Sequence, residues 1–265
     1  LAKLLEGKII ADRIKEDLKV SVRSLKQAPV LASIVVGENA SAISYAKSQQ
    51  KLAVELGIDY CLRVLPQGAA ESQIVELIQK LNNDKKVNGV IIQMPLPKQI
   101  DYKSISRFIS RNKDIEGENS PVVAAVMELI KTSGVDLYGR EVVVVGYGEI
   151  LGKPLALLLL DKFATLTVCH IGTSQAGKLE EHVRCAEVLI AAVGQAGLIK
   201  GEWIKEGAVV IDAGINRLGD KIVGDVEFAE AAKRASFITP VPGGVGPLTV
   251  AILMRNLVQA AQAQQ

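Results

Sequence analysis

Glu141-Val142-Val143-Val144-Val145-Gly146-Tyr147-Gly148-Glu149-Ile150-Leu151-Gly152 decides the fold class. Four successive valines between a glutamate and a glycine read as a short strand buried on both faces, as strands inside parallel sheets are. The glycines then allow a tight turn. Lys153, Pro154 and the apolar residues 155–160 follow as a helix, with proline tolerated in its first turn. Strand, glycine turn and helix in that order offer free amides and the positive end of a helix to the pyrophosphate of a dinucleotide. The spacing is Gly-x-Gly-x-x-x-Gly, one residue longer than the common fingerprint, so the preceding strand carries much of the reading.

Outward from this turn the chain alternates β-branched runs with amphipathic stretches. Residues 30–36, 59–65 and 89–94 read as strands, and 41–56 and 71–82 as helices. A second series has strands at 165–169, 188–192, 209–212 and 237–238. Such alternation predicts an α/β protein with parallel sheets. The polar stretch from Ser110 to Ser120 interrupts it, and a helix over 121–133 resumes it. Two α/β domains are therefore expected, the second a Rossmann-type dinucleotide-binding domain. The first takes residues 1–119 plus 249–265, with the helix over 245–261 returning to it; the second takes 120–248. The loops Cys169-His170-Ile171, Ala192-Val193-Gly194 and Asp212-Ala213-Gly214-Ile215-Asn216 end strands, where a parallel sheet forms its ligand crevice.

Composition excludes little but points consistently. Thirty-one lysines and arginines nearly balance 29 aspartates and glutamates over 265 residues, so no strong field favours nucleic acid or an anionic membrane. No apolar run approaches the ~18 residues of a membrane span. No basic segment leads into an apolar signal region at Leu1. Cys61, Cys169 and Cys185 lack metal-like spacing and are expected to be reduced core residues, which favours a cytoplasmic protein. His170 and His182 show no metal-ligand spacing, and no metal is expected.

Residues 238–250, Ile-Thr-Pro-Val-Pro-Gly-Gly-Val-Gly-Pro-Leu-Thr-Val, are too rich in glycine and proline for a simple helix and hold one backbone shape. This stretch resembles the C-terminal signature of the methylenetetrahydrofolate dehydrogenase/cyclohydrolase family. The likeness extends through residues 201–217, Val223-Gly-Asp-Val226 and Gln93-Met-Pro-Leu-Pro97. It implies two α/β domains flanking a folate cleft, a homodimer, and hydride transfer from methylenetetrahydrofolate to NADP or NAD. In most members hydrolysis of the methenyl cation follows.

Residue by residue, the resemblance makes Tyr45 the ring on which folate stacks. It assigns Gln93 and Glu116 to orienting folate, and Pro242, Gly243, Gly244 and Gly246 to closing the cleft. Gly146, Tyr147, Gly148, Glu149, Ile150 and Gly152 would hold the coenzyme with His170, Ile171, Val193, Gly194, Gly214 and Ile215. Five departures stand out. Gln49 occupies the place of the family lysine that handles protons in hydrolysis, and an amide cannot exchange a proton near neutral pH as an amine can. Lys47 and Lys51 do not replace it: position 49 lies roughly 40° from Tyr45 around a helix, whereas they lie roughly 200° and 240° away. Ala42 stands for a family serine, with Ser41 one place off. Glu116 replaces an aspartate, keeping its charge but adding a methylene. About fifteen residues that the resemblance implies after Gly117 are missing before Asn119-Ser120-Pro121. Tyr147 and Ile171 stand where NADP-using members carry an arginine and a serine, so a ribose phosphate would lack its charged partner. The expectation is a dehydrogenase with an impaired cyclohydrolase step; the alternative is a non-catalytic paralogue that binds nucleotide or a folate-like ligand. A shikimate or amino-acid dehydrogenase would lack the 238–250 signature.

Overall fold

The computed structural model describes residues 1–117 and 120–265, so the domain boundary expected after residue 119 lies outside the described residues. The chain forms two compact units, Asp12–Pro121 with Val250–Gln265, and Leu1–Ala11 with Val122–Thr249. It opens with β1 (Lys3–Leu4) and α1 (Gly7–Arg23).

In the unit beginning at Asp12 follow β2 (Val30–Val36), α2 (Ala40–Leu56), β3 (Asp59–Leu65), α3 (Glu71–Asn83), β4 (Gly89–Ile92) and the short α4 (Tyr102–Ser106). The strands are parallel in the order β3-β2-β4. Central β2 is buried almost throughout, which is why its sequence is continuously apolar. Asn39 caps α2 by accepting from the Ser41 and Ala42 amides, and Gly57, at φ 76°, ends it. These two stops set the helix phase, so that Ala42, Ala46, Gln49 and Ala53 share its buried face.

The rest of the chain contributes α5 (Pro121–Ser133), β5 (Glu141–Val145), α6 (Gly152–Asp161), β6 (Thr165–Cys169), α7 (Ile171–Gln175), α8 (Leu179–Cys185), β7 (Val188–Ala191), β8 (Val209–Asp212), β9 (Asn216–Leu218), β10 (Lys221–Val223), α9 (Phe228–Arg234), β11 (Phe237–Ile238) and α10 (Val245–Ala263). Six parallel strands run in the order β1-β11-β8-β7-β5-β6, beside an antiparallel β9-β10 hairpin. From β5 the chain moves outward to β6, then crosses back to β7 on the other side of β5. The glycine turn therefore leaves the sheet at a topological switch point, where ligand crevices form.

The expected partition is corrected for the first eleven residues. They belong with the six-stranded sheet because Lys3 and Leu4 pair with Phe237 and Ile238. A two-residue strand shows no periodicity from which this could be read. Cys169 alone of the three cysteines is a core residue; Cys185 is exposed and Cys61 partly so, and all three are free thiols.

The returning helix does pack into the first unit. Leu253, Met254, Leu257 and Val258 of α10 join Leu31, Ile91 and Ile115 in one core. Contact is tight at Gly89, where a Cβ would lie 2.7 Å from Leu257 Cδ1 and 3.0 Å from Ile115 Cγ2. Leu257 is fully buried. Leu257→Ala should lower unfolding free energy by about 2–5 kcal/mol through lost burial and a residual cavity. Urea unfolding of the full chain measures this, and a change under about 0.5 kcal/mol would contradict the packing.

Candidate functional site: a buried glutamine pair and a glycine-lined turn

Two sets of expected site residues assemble, each within its own unit. In the first, Gln93 follows β4, its backbone amide still bonded to Ile34 O of β2 at 2.8 Å. The side chain turns inward: Nε2 donates to Ser33 Oγ at 2.8 Å and to Gln49 Oε1 at 2.7 Å. Tyr60 donates its phenol hydrogen to the same Gln49 Oε1 at 3.0 Å. Gln49 is completely buried, and its Nε2 has no hydrogen-bond partner among the described residues. Orphaned buried donors are rare and cost about 1–3 kcal/mol each.

Tyr45 lies one turn earlier on α2. Burial, and then the nearby Glu116 carboxyl, push its phenol pKa up, while the adjacent Gln49 side chain pulls the other way. Glu116 also raises the pKa of Tyr60 and Tyr102, after the larger effect of burial. Its own surface is partly accessible. Even so, burial, with repulsion from Asp114 second, pushes its carboxyl pKa up to about 8. The expectation that glutamate keeps a full negative charge here is thus corrected: at neutral pH burial favours the neutral acid. Asp114 Oδ1 accepts from the Glu116 and Gly117 amides at 3.1 and 2.8 Å, shaping the turn that presents Glu116. A Cβ on Gly117 would collide with that carboxylate.

Tyr45, Gln49, Gln93 and Glu116 are therefore one pocket. Lys47, Lys51 and Ser41 are exposed and Ala42 is buried, so neither lysine shares the face of Gln49. Ser33, Tyr60 and Tyr102 complete the pocket and were not anticipated. Ser33 carried a signal, since a serine inside an apolar strand needs a buried partner. Tyr60 and Tyr102 carried none.

In the other unit, Gly146, at φ 127°, approaches the backbone so closely that a Cβ would collide with Ala192 O. A Cβ on Gly152 would collide with Gly146 O. Gly148 differs: a Cβ there meets no atom within 4 Å, leaving the turn open on its ligand side. Two of the glycines thus fold the turn, and the third clears its outer surface. Tyr147 is exposed, with its ring centroid 6.4 Å from that of His170. His170 Nδ1 accepts from Gly172 N at 3.1 Å and caps α7, and Ile171 beside it is exposed. Lys153, which the sequence reading passed over, sets its ammonium 4.6 Å from the Tyr147 ring centroid and pairs with Glu149. Ile150 is half-buried beside that pair.

Two buried carboxylates organise the remaining loops. Asp225 accepts from the amides of Val193, Gly194 and Gln195 at 2.6, 3.0 and 2.9 Å and from Asn216 Nδ2 at 2.9 Å. The Val193 and Gly194 amides are committed to this carboxylate, leaving their carbonyls and side chains for any ligand. Asp212 accepts from the Gly214, Asp225 and Val226 amides at 2.9, 3.0 and 2.9 Å, yet burial still pushes its pKa up to about 6. Gly214 packs so closely against Asp225 that no side chain fits. In the same unit Gly243, at φ 115°, accepts from the Lys8 amide at 3.0 Å, and Gly244 N donates to Pro240 O at 2.8 Å. Pro242 is exposed, and a Cβ on Gly246 would lie 3.7 Å from Ile215 Cδ1. The signature loop thus adjoins the loop carrying Gly214 and Ile215.

Switch point, glycine turn and buried polar pocket define a two-unit α/β protein of the dinucleotide-binding class. Two family models match it: the tetrahydrofolate dehydrogenase/cyclohydrolase catalytic domain over residues 5–116 and the NAD(P)-binding domain of the same family over residues 120–265. The chain belongs to the tetrahydrofolate dehydrogenase/cyclohydrolase family. It is 45% identical to the bifunctional protein FolD of Acetivibrio thermocellus, covering 99% of this chain and 98% of that one. That pairing spans 282 positions, more than the chain's 265 residues, so it opens gaps in this chain. The methylenetetrahydrofolate dehydrogenase/cyclohydrolase structure from Campylobacter jejuni is similar at TM-score 0.92 and 38% identity, with full coverage of both chains. That from Trypanosoma brucei, solved with NADP and an inhibitor, is similar at TM-score 0.91 and 34% identity, covering 99% of this chain and 98% of that one.

The two carboxylate centres generate separate predictions. Asp225→Asn would set an amide among the Val193–Gln195 amides and should weaken coenzyme binding about tenfold or more, measured by fluorescence titration. Unchanged coenzyme affinity would mean that these loops do not serve the nucleotide. For Glu116, the folded pKa of about 8 lies above the ordinary 4.5, so the folded state binds more protons between those values. Its contribution to stability is therefore present below the lower pKa and falls as pH rises through the upper one. Glu116→Gln removes that loss and should be more stable than the parent by about 1 kcal/mol or more at pH 9, with the gap shrinking towards pH 5. Denaturant melts at the two pH values test the sign.

Proposed function

We propose that this chain oxidises 5,10-methylenetetrahydrofolate with NADP or NAD and hydrolyses the methenyl product poorly or not at all. The observation that carries the reading is Gln49, completely buried and locked by Gln93 and Tyr60 at the position where the family resemblance implies a lysine. A bound nicotinamide supplies the hydride acceptor. The protein's part in that step is placement, which a fixed pocket provides without titrating. Hydrolysis of the methenyl cation needs a group that moves a proton near neutral pH, and Gln49 offers none. Glu116 titrates in the right range, but in this reading its carboxyl is engaged with the amino edge of the pterin. Tyr45 gives the stacking face, and the free Gln49 N–H groups meet an acceptor on the substrate.

The pyrophosphate is assigned to the 146–152 turn, whose open side at Gly148 suits it. Lys153 lies near the ribose end but is already paired with Glu149, so it supports neither coenzyme strongly. Homodimerisation follows the family likeness. Cytoplasmic placement is supported by three free cysteines, and no helix among the described residues is long and apolar enough to cross a membrane.

Turnover decides the reading. Protein mixed with methylenetetrahydrofolate and either coenzyme should yield reduced nicotinamide together with a methenyl absorbance that persists. No turnover with either coenzyme sinks the dehydrogenase assignment and favours the non-catalytic alternative; decay of the methenyl signal above the buffer rate sinks the loss of hydrolysis. Gln49→Lys should recover hydrolysis only in part, because Gln93 Nε2 faces position 49 and would meet the ammonium donor to donor until its amide turns over.

A further inference from the structure

Tyr60 stands on β3, an edge strand on which Asp59, Leu62, Arg63 and Val64 are exposed and where solvent could satisfy a phenol. Its hydroxyl turns inward instead and donates to Gln49 Oε1 at 3.0 Å. The strand register explains how it gets there. Tyr60 pairs with Leu31, Leu31 with Gly89, and Ser33 with Ile91, and side chains two residues apart share a face. Tyr60, Ser33 and Gln93 therefore project from the same face of the β3-β2-β4 sheet, the one on which Leu52, Ala53 and Leu56 of α2 pack.

Gln49 is thus held from both sides of β2. Gln93, just after β4, donates to its Oε1 at 2.7 Å and commits its other N–H to Ser33 Oγ at 2.8 Å. One donor leaves an amide free to swing about the contact, and Gln93 has no further hydrogen to give. Tyr60 supplies the second donor, from the opposite strand. With Oε1 held in this way, the Gln49 N–H groups are left on the side of Tyr45. The Gln49 side chain favours the Tyr45 phenolate, as N–H groups directed at that phenol would, yet Nε2 makes no hydrogen bond with it. In a plainer account Tyr60 only fills space beside Tyr45 in this core. A phenylalanine would fill it as well, so packing leaves the inward hydroxyl bond unexplained. Burial pushes the Tyr60 phenol pKa up to about 12, with a hydrogen bond from the Ser33 side chain opposing the rise. The hydroxyl therefore keeps its hydrogen at any working pH.

We infer that Tyr60 is a positioning residue for the folate substrate, acting through Gln49: by holding the Gln49 carbonyl it fixes where the Gln49 N–H donors point. The inference rests on the reading of this pocket as the folate site. The substrate then brings an acceptor to a donor that is already aimed, and binding is spared the entropy of ordering that side chain. A donor fixed before binding serves bound substrate and transition state alike, so its loss changes affinity more than the chemical rate.

Tyr60→Phe removes the hydroxyl and keeps the ring. In the full chain it should weaken binding of 5,10-methylenetetrahydrofolate about fivefold, read by calorimetry without coenzyme, as the loss of one neutral hydrogen bond. KM for that substrate should rise to match while kcat changes less than about twofold. In a Gln49→Met background, which keeps the volume but not the amide, the same change should cost less than about twofold, because the residue through which Tyr60 acts is gone. A second measurement needs no ligand. The side-chain carbonyl-carbon NMR resonance of Gln49, in glutamine-labelled protein and assigned by Gln49→Met, should move upfield in Tyr60→Phe as its oxygen loses a donor. An unmoved resonance, unchanged folate affinity, or an equal loss in both backgrounds overturns the role. A parent that binds no methylenetetrahydrofolate overturns the folate reading and this role with it, while a shifted resonance would still show that Tyr60 holds the amide, so the two failures are told apart.

Discussion

The nucleotide half depends on one close approach, the backbone of Gly146 against Ala192 O. Any side chain at residue 146 would have to push β5 and β7 apart, and those strands flank the point where the sheet reverses direction. With the strands at this spacing, the loops after β7 and β8 come near enough for Asp225 to bind both. Asp212 then anchors the chain beneath Asp225. A steric condition on one glycine thus becomes a hydrogen-bonded platform of three loops. The platform is rigid because burying two carboxylates is tolerable only when nearly every lone pair is satisfied.

The folate half rests on the opposite balance. Its central polar group is left incompletely satisfied: Gln49 Oε1 receives two donors, while Nε2 receives no acceptor. Nearby, Glu116 is held towards its neutral form by burial. Both conditions raise the free energy of the bare pocket, and both are relieved by a ligand that offers an acceptor to Gln49 and donors to Glu116. Stability given up in the pocket is available as binding energy.

Much of this was legible beforehand. The apolar valine run, the glycine spacing and the β-α alternation required parallel sheets and a nucleotide turn, because strands buried on both faces and turns without Cβ atoms leave few alternatives. Helical phase alone separated Gln49 from Lys47 and Lys51, and α2 keeps that phase. Tyr60 and Tyr102 were illegible because their roles arise from contacts across elements. The pairing of β1 with β11 joins residues more than 230 positions apart, which no local pattern encodes.

The sequence by itself determined the fold class, the family and the amide at position 49, since these depend on residue type and spacing. Tertiary structure alone decided how the surviving groups behave. Glu116 is held towards its neutral form by burial, and the Val193 and Gly194 amides are spent on Asp225. Protonation, hydrogen-bond commitment and local field all depend on distances between segments remote in the chain, and only folding sets those distances.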